Sequence, residues 1–112
     1  MDEFSTLGVN KVTTLQGETI ESLKLDPATL GFAKARIDDL AGGEAAVNAD
    51  LLEGILAGRI KGPKRDIAVL NAAAGFVITG KATDLLEGKR MAEEVLDRGA
   101  AHVKLRALQD FC

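Results

Sequence analysis

Two adjacent carboxylates, Asp2 and Glu3, stand in the opening stretch MDEFSTLG and are the residues best suited to chemistry. Carboxylate oxygens are hard donors, and one or two of them bind Mg²⁺ together with water and phosphate oxygens. A charged pair near a terminus is, however, commonly just solvated. The residue types alone therefore favour a solvated acidic end over a metal site.

The other chemically capable side chains are isolated. His102 is the only histidine and has no cysteine or carboxylate at metal-ligand spacing, so a surface or packing role is preferred. Cys112 is the only cysteine, which excludes an internal disulfide and favours a reducing cytoplasm. Ser5 and Thr6 could contact phosphate, although turn formation explains them equally well. No catalytic residue is predicted.

Two short stretches could attract anions through a predicted helix start. Gly42 and Gly43 precede such a start, but Glu44 beside them repels anions, so capping and close packing are favoured. Lys64 and Arg65 follow a proline, where an exposed first helical turn is the simpler interpretation.

Two asparagines, Asn48 and Asn71, lie within otherwise apolar helical patterns. A buried amide group has to be hydrogen-bonded. We therefore predict that Asn71 bridges its helix to neighbouring backbone, and we predict the same role less strongly for Asn48.

Composition excludes several classes of function. The 112 residues are 46% hydrophobic and 28% charged, with a net charge of −3 and a pI of about 5.1. This mildly acidic balance lacks the basic footprint of a nucleic-acid-binding protein, and no block of lysine and arginine suits an anionic membrane. No apolar run is long enough to span a bilayer. We expect one cytoplasmic domain with neither nucleic acid nor membrane as a partner.

The order of patterns is one hairpin followed by helices. Residues 9–25 contain two β-branched stretches around a glycine turn, which predicts a β-hairpin. The stretch LDPATLG reads as a single helical turn, and residues 43–110 read as about four helices. The stretch from Ile67 to Ile78 is apolar nearly all round, so we expect a helix covered on most sides.

These helices require more partner surface than one hairpin offers. A lone two-stranded hairpin is marginal in water, and apolar helices of this kind usually cover a sheet. The sequence therefore predicts an α/β segment, 1–112, that forms part of a larger body.

Five stretches resemble anthranilate phosphoribosyltransferases in the same order. They are DEFSTLG, LDPATLG, LAGGEAAVNADLLEGILAG, GPKRDIAVLNAAAG and DLLEGKRMAEEVLDRGAA, and together they cover most of the chain. The resemblance implies the C-terminal part of the α/β domain, in the fold shared by nucleoside phosphorylases and phosphoribosyltransferases. It divides the chain into a metal-binding segment (1–8), the hairpin (9–25) and the helices (43–110).

The function implied by this resemblance is phosphoribosyl transfer in tryptophan biosynthesis. Enzymes of the family join anthranilate to the ribose of phosphoribosyl pyrophosphate and release pyrophosphate with Mg²⁺ present. Asp2 and Glu3 match the family's acidic pair, so the resemblance assigns Mg²⁺ to them. The implied partners are phosphoribosyl pyrophosphate and anthranilate.

The family's substrate loops do not occur in this sequence, and no GxGxxG or GxxxxGK[ST] motif replaces them. We therefore expect the 112 residues alone to be inactive. Two alternatives remain open. The segment could come from a related phosphoribosyl transferase or nucleoside phosphorylase. It could also be a non-catalytic module, forming a homo-oligomer through an exposed sheet edge or helical faces.

Overall fold

The computed structural model describes all residues, Met1–Cys112. The expected α/β arrangement of a hairpin followed by four helices is confirmed. The elements, in chain order, are β1 (Asn10–Gln16), β2 (Thr19–Leu25), two short 3₁₀ helices (Pro27–Leu30 and Ile37–Leu40), α1 (Ala45–Leu56), α2 (Pro63–Ile78), α3 (Leu85–Asp97) and α4 (Ala100–Phe111). No helix combines the length and the apolarity needed to cross a membrane.

Strands β1 and β2 form an antiparallel two-stranded sheet closed by a turn at Gly17. Directly opposed residues share a face of such a sheet. Val12 opposes Leu23 on the face that carries the buried Leu25, whereas Leu15 opposes Ile20 on the other face. Leu23 and Leu25 therefore lie on one face of the hairpin, and Ile20 lies on the other.

Local side-chain hydrogen bonds fix the starts of two helical elements. The Asp26 carboxylate accepts from the Ala28 backbone N–H at 3.0 Å and caps the first 3₁₀ helix. The Asp84 carboxylate accepts from the Glu87 N–H at 2.8 Å and caps α3. Both the N–H and the hydroxyl of Thr83 donate to Glu87, and these bonds lower the pKa of the Glu87 carboxyl. Capping of this kind is typical of Asp at helix starts.

The core lies between α2 and α3, which form the most extensive helix pair in the molecule. Leu70 and Val69 of α2 are fully buried against Ala92 and Leu96 of α3. The helices approach closely at Gly88, which has no side chain to separate the two backbones. The hairpin joins this core through Leu25.

Within these 112 residues α2 is covered on most sides, as expected, but one stripe of the helix is exposed. Arg65, Val69, Leu70 and Ala73 are buried on one face, but the opposite face is open and Ile78 is 84% exposed. The physical reason is that α3 covers the buried face of α2, whereas the two-stranded sheet does not cover the opposite one. An apolar helix face is therefore left in water.

The molecule exposes more surface than a compact monomer of the same mass. Its accessible area is 7680 Å², whereas a compact monomer of 11.8 kDa exposes about 5,900 Å². Exposed apolar side chains occur on the hairpin and on each of the four α-helices, and they include Leu15, Ile20, Ile78, Val103 and Phe111. The excess of about 1,800 Å² over that scaling exceeds what one partner contributes to a standard interface.

Polar contacts join α4 to α1. The Glu53 carboxylate of α1 accepts hydrogen bonds from Nη2 of Arg106 and, at 3.2 Å, from Nε2 of His102 when that nitrogen is protonated. His102 therefore lies in the contact between α4 and α1, in agreement with the surface or packing role preferred from the sequence.

Asp97 at the end of α3 gives the fold an acid-sensitive contact. Lys61 donates to its carboxylate at 2.8 Å and Arg65 at 2.9 Å, and these partners hold the pKa of Asp97 below its ordinary value. A lowered folded-state pKa adds stability above the unfolded pKa and loses it as the pH falls through the folded value. This contribution should therefore decline below about pH 4.

We predict that Asp97→Asn reduces the loss of thermal stability on acidification. The measurement is the unfolding midpoint by circular dichroism between about pH 1 and 5, the interval over which a paired aspartate with a lowered pKa loses its contribution. Asp110→Asn is the control, because Asp110 is exposed and forms no ion pair. Identical acid profiles for Asp97→Asn and the unsubstituted protein would contradict this assignment.

Candidate functional site

Asn71 of α2 fixes the backbone beside the acidic pair. Its Oδ1 accepts from the Phe4 N–H at 2.9 Å, and its Nδ2 donates to the Phe4 carbonyl and to the Ile67 carbonyl, each at 2.9 Å. Both ends of the amide are thereby hydrogen-bonded. The prediction that Asn71 bridges its helix to neighbouring backbone is confirmed. Asp2 and Glu3 directly precede the residue that it holds.

A second asparagine, Asn10, folds the opening segment back along β1. Its Oδ1 accepts from the Ser5 N–H at 2.8 Å, and its Nδ2 donates to the Ser5 carbonyl at 2.9 Å and the Gly8 carbonyl at 3.2 Å. The Ser5 hydroxyl accepts from the Leu7 N–H at 3.1 Å, so Ser5 forms a turn. Sequence reasoning missed Asn10, although asparagine is one of the residues whose side chain commonly bonds nearby backbone in turns.

A cleft of about 510 Å³ lies between the opening segment and β1. Residues 1–5 form one wall and residues 9–13 form the other; we call it the N-terminal cleft. Asp2 and Glu3 are exposed on the first wall, and Lys11 of β1 lines the second. None of these three side chains forms an ion pair. The cleft thus presents both signs of charge to a ligand.

The donor set of the cleft suits Mg²⁺ in one particular way. The structure contains no group of three or more metal-binding side chains, so the chain does not enclose an ion by itself. Mg²⁺ commonly binds one or two carboxylates and completes its octahedron with water and substrate phosphates. Asp2 and Glu3 fit that pattern, and both are free of ion-pair partners.

The other anion candidates have structural roles and lie outside the N-terminal cleft. The Asn48 amide accepts from the Gly43 N–H at 2.9 Å and donates to the Gly43 carbonyl at 2.8 Å. The Gly43 N–H is therefore already hydrogen-bonded within the protein. Lys64 donates to the Asp39 carbonyl at 2.7 Å. Arg65 is buried against Asp97 and is not the exposed first-turn residue that was expected.

Comparison with known proteins identifies the family of this chain. Residues 1–102 match the family described as "Glycosyl transferase family, a/b domain". The chain belongs to this family. Its relatives include the anthranilate phosphoribosyltransferase of Geotalea daltonii, which is 42% identical over 109 residues. That match covers 97% of this chain and 31% of the relative.

Solved structures agree with the sequence match. The anthranilate phosphoribosyltransferase of Thermus thermophilus superposes with a TM-score of 0.87 at 36% identity, covering 96% of this chain and 31% of that one. A variant of the Saccharomyces cerevisiae enzyme with Mg bound gives 0.82 at 26% identity, covering 99% and 32%. The chain therefore spans about a third of the length of the relatives it matches, as an anthranilate phosphoribosyltransferase-like segment.

Proposed function

We propose that this chain supplies the magnesium-binding edge of a phosphoribosyl transferase that joins anthranilate to phosphoribosyl pyrophosphate. In this proposal residues 1–8 bind the metal, 9–25 form the hairpin wall of the cleft, and 43–110 support both. The reaction belongs to tryptophan biosynthesis in the cytoplasm. It requires substrate loops that the 112 residues do not contain, so the chain is inactive by itself.

The observation that carries the proposal is the family match at residues 1–102 combined with free carboxylates at the N-terminal cleft. Asp2 and Glu3 hold Mg²⁺, which offsets negative charge on a diphosphate when it is bound. Asn71 and Asn10 position the segment that carries the two carboxylates. Fixed placement of charge is the main requirement of such a site, because little proton transfer is needed as pyrophosphate departs.

A chimeric enzyme tests the transfer activity. We replace the matching third of the Geotalea daltonii enzyme with this chain and measure anthranilate-dependent pyrophosphate release. We expect turnover, and we expect Asp2→Asn with Glu3→Gln to lower kcat about 100-fold, as when a preorganised charge contact is lost. Asp50→Asn, on the exposed side of α1, is the control and should leave kcat unchanged.

Two results would contradict the proposal. The first is a chimera whose kcat does not depend on Asp2 and Glu3. The second is turnover by the isolated 112-residue chain. Replacing anthranilate with a nucleobase in the same assay tests the alternative of a related transferase or nucleoside phosphorylase, which relatives named anthranilate phosphoribosyltransferase do not favour.

Exposed apolar surface favours a second candidate function, a self-associating module. The accessible area exceeds that of a compact monomer by more than one partner buries in a standard interface. The outer edges of β1 and β2 are also unpaired, and unpaired strand edges can pair with another chain. On this hypothesis the isolated chain forms a homo-oligomer through the sheet edge or the helical faces. Size-exclusion chromatography with light scattering would then show a mass that rises with concentration, whereas a monomer at millimolar concentration would exclude it.

A further inference from the structure

Lys11 lines the N-terminal cleft together with the acidic pair. It lies on β1, on the wall opposite Asp2 and Glu3, and it is the only lysine or arginine that lines the cleft. The other cationic group there is the amino group of Met1. Lys11 is exposed and has no ion-pair partner, so its charge is available to a ligand.

The position of Lys11 in the sheet is electrostatically unfavourable. It lies directly opposite Lys24 in the register of β1 and β2, and Lys24 also lacks an ion pair. Like charges directly opposed across two strands destabilise the pairing. An anion bound beside Lys11 would remove that penalty. Of the two lysines, only Lys11 lines the cleft.

We propose that Lys11 binds the phosphate oxygens of a magnesium–diphosphate complex held in this cleft. The inference rests on the proposed function, because it takes Asp2 and Glu3 as the metal ligands. One Mg²⁺ offsets the charge of these two carboxylates and leaves the charge of the diphosphate itself uncompensated. A cation on the opposite wall supplies the missing positive charge, and an ammonium group suits phosphate as a point charge.

The test compares two lysines of the same strand pair. Inorganic pyrophosphate is titrated calorimetrically into the full 112-residue chain with Mg²⁺ present, using the unsubstituted protein, Lys11→Gln and Lys24→Gln. Lys11→Gln is expected to weaken pyrophosphate binding about tenfold, the loss of one charge-assisted contact. Lys24→Gln should change it by about twofold or less, because that side chain contributes only long-range charge.

A matched folding control accompanies the titration. Both substitutions remove the same like-charge pair, so both should leave the thermal midpoint unchanged or slightly raised. Equal weakening by the two variants would overturn the role of Lys11, as would loss of binding on acetylation of Met1 with Lys11→Gln unaffected. Failure of the unsubstituted chain to bind pyrophosphate would also overturn it.

The metal dependence separates this inference from the proposed function. Mn²⁺ bound in place of Mg²⁺, followed by water proton relaxation, should depend on Asp2 and Glu3 but not on Lys11. Pyrophosphate binding that needs Lys11 but no metal would preserve the lysine contact and contradict the metal site. Metal-dependent pyrophosphate binding that both lysine variants retain in full would preserve the metal site and contradict the lysine contact.

Discussion

Gly88→Ala is expected to lower the free energy of unfolding by about 3 kcal/mol, at the upper end of the cost of overpacking. An added Cβ would lie 2.6 Å from the Ala73 carbonyl oxygen and 3.0 Å from the Ala73 Cα. Both are backbone atoms of α2, so no side-chain rotation relieves the clash. The helices α2 and α3 would have to separate along the main core.

Gly75→Ala is the matched control for this substitution. Gly75 also lies in the interior of a helix, but nothing lies within 4 Å of its added Cβ. Alanine is a better helix former than glycine by about 1 kcal/mol, so Gly75→Ala should stabilise the protein. Urea unfolding followed by circular dichroism measures both. Similar midpoints for the two variants would contradict the close contact of α2 with α3.

Asn71→Ala is expected to lower the free energy of unfolding by about 2 kcal/mol, because it leaves backbone polar groups without partners. The N–H and carbonyl of Phe4 both lose their hydrogen bonds. The segment that carries Asp2 and Glu3 would then be released from α2. Pyrophosphate binding in the presence of Mg²⁺ should weaken together with the stability.

Asn48→Ala separates these two effects. Asn48 also forms two hydrogen bonds with backbone, but they join it to Gly43, away from the N-terminal cleft. Asn48→Ala should lower the free energy of unfolding by about 1 kcal/mol, as for a lost cap, and should leave pyrophosphate binding unchanged. Hydrogen exchange of the Phe4 amide is the direct readout. If Asn71→Ala left that amide as protected as before, the anchoring role would be wrong.

The sequence predicted well those features that depend on local chemistry. A side-chain oxygen before a helix start satisfies free N–H groups, so the sequence marks Asp26 as one cap and either Thr83 or Asp84 as the cap of α3; the structure selects Asp84. The face shared by Leu23 and Leu25 followed from the twofold alternation of a strand. Asn71 was identifiable because an amide in an apolar helix needs partners.

Features that depend on distant residues were not predictable from the same patterns. The sequence predicted that one hairpin offers too little cover, but periodicity did not reveal that α3 would be the neighbour that covers one face of α2. The burial of Arg65 depends on Asp97, which lies on another helix. The presence of Lys11 in the same cleft as the acidic pair depends on the fold of residues 5–10 around Asn10. Sequence spacing placed no constraint on that loop.

The most direct test of the account is where a bound divalent cation sits. Mn²⁺ with pyrophosphate, added to the ¹⁵N-labelled chain, broadens the NMR signals of nearby amides. The account predicts selective broadening of residues 2–5 and 9–13, which line the N-terminal cleft, and loss of that pattern in Asp2→Asn with Glu3→Gln. Broadening centred instead on another acidic stretch, such as Asp38 and Asp39, would contradict it.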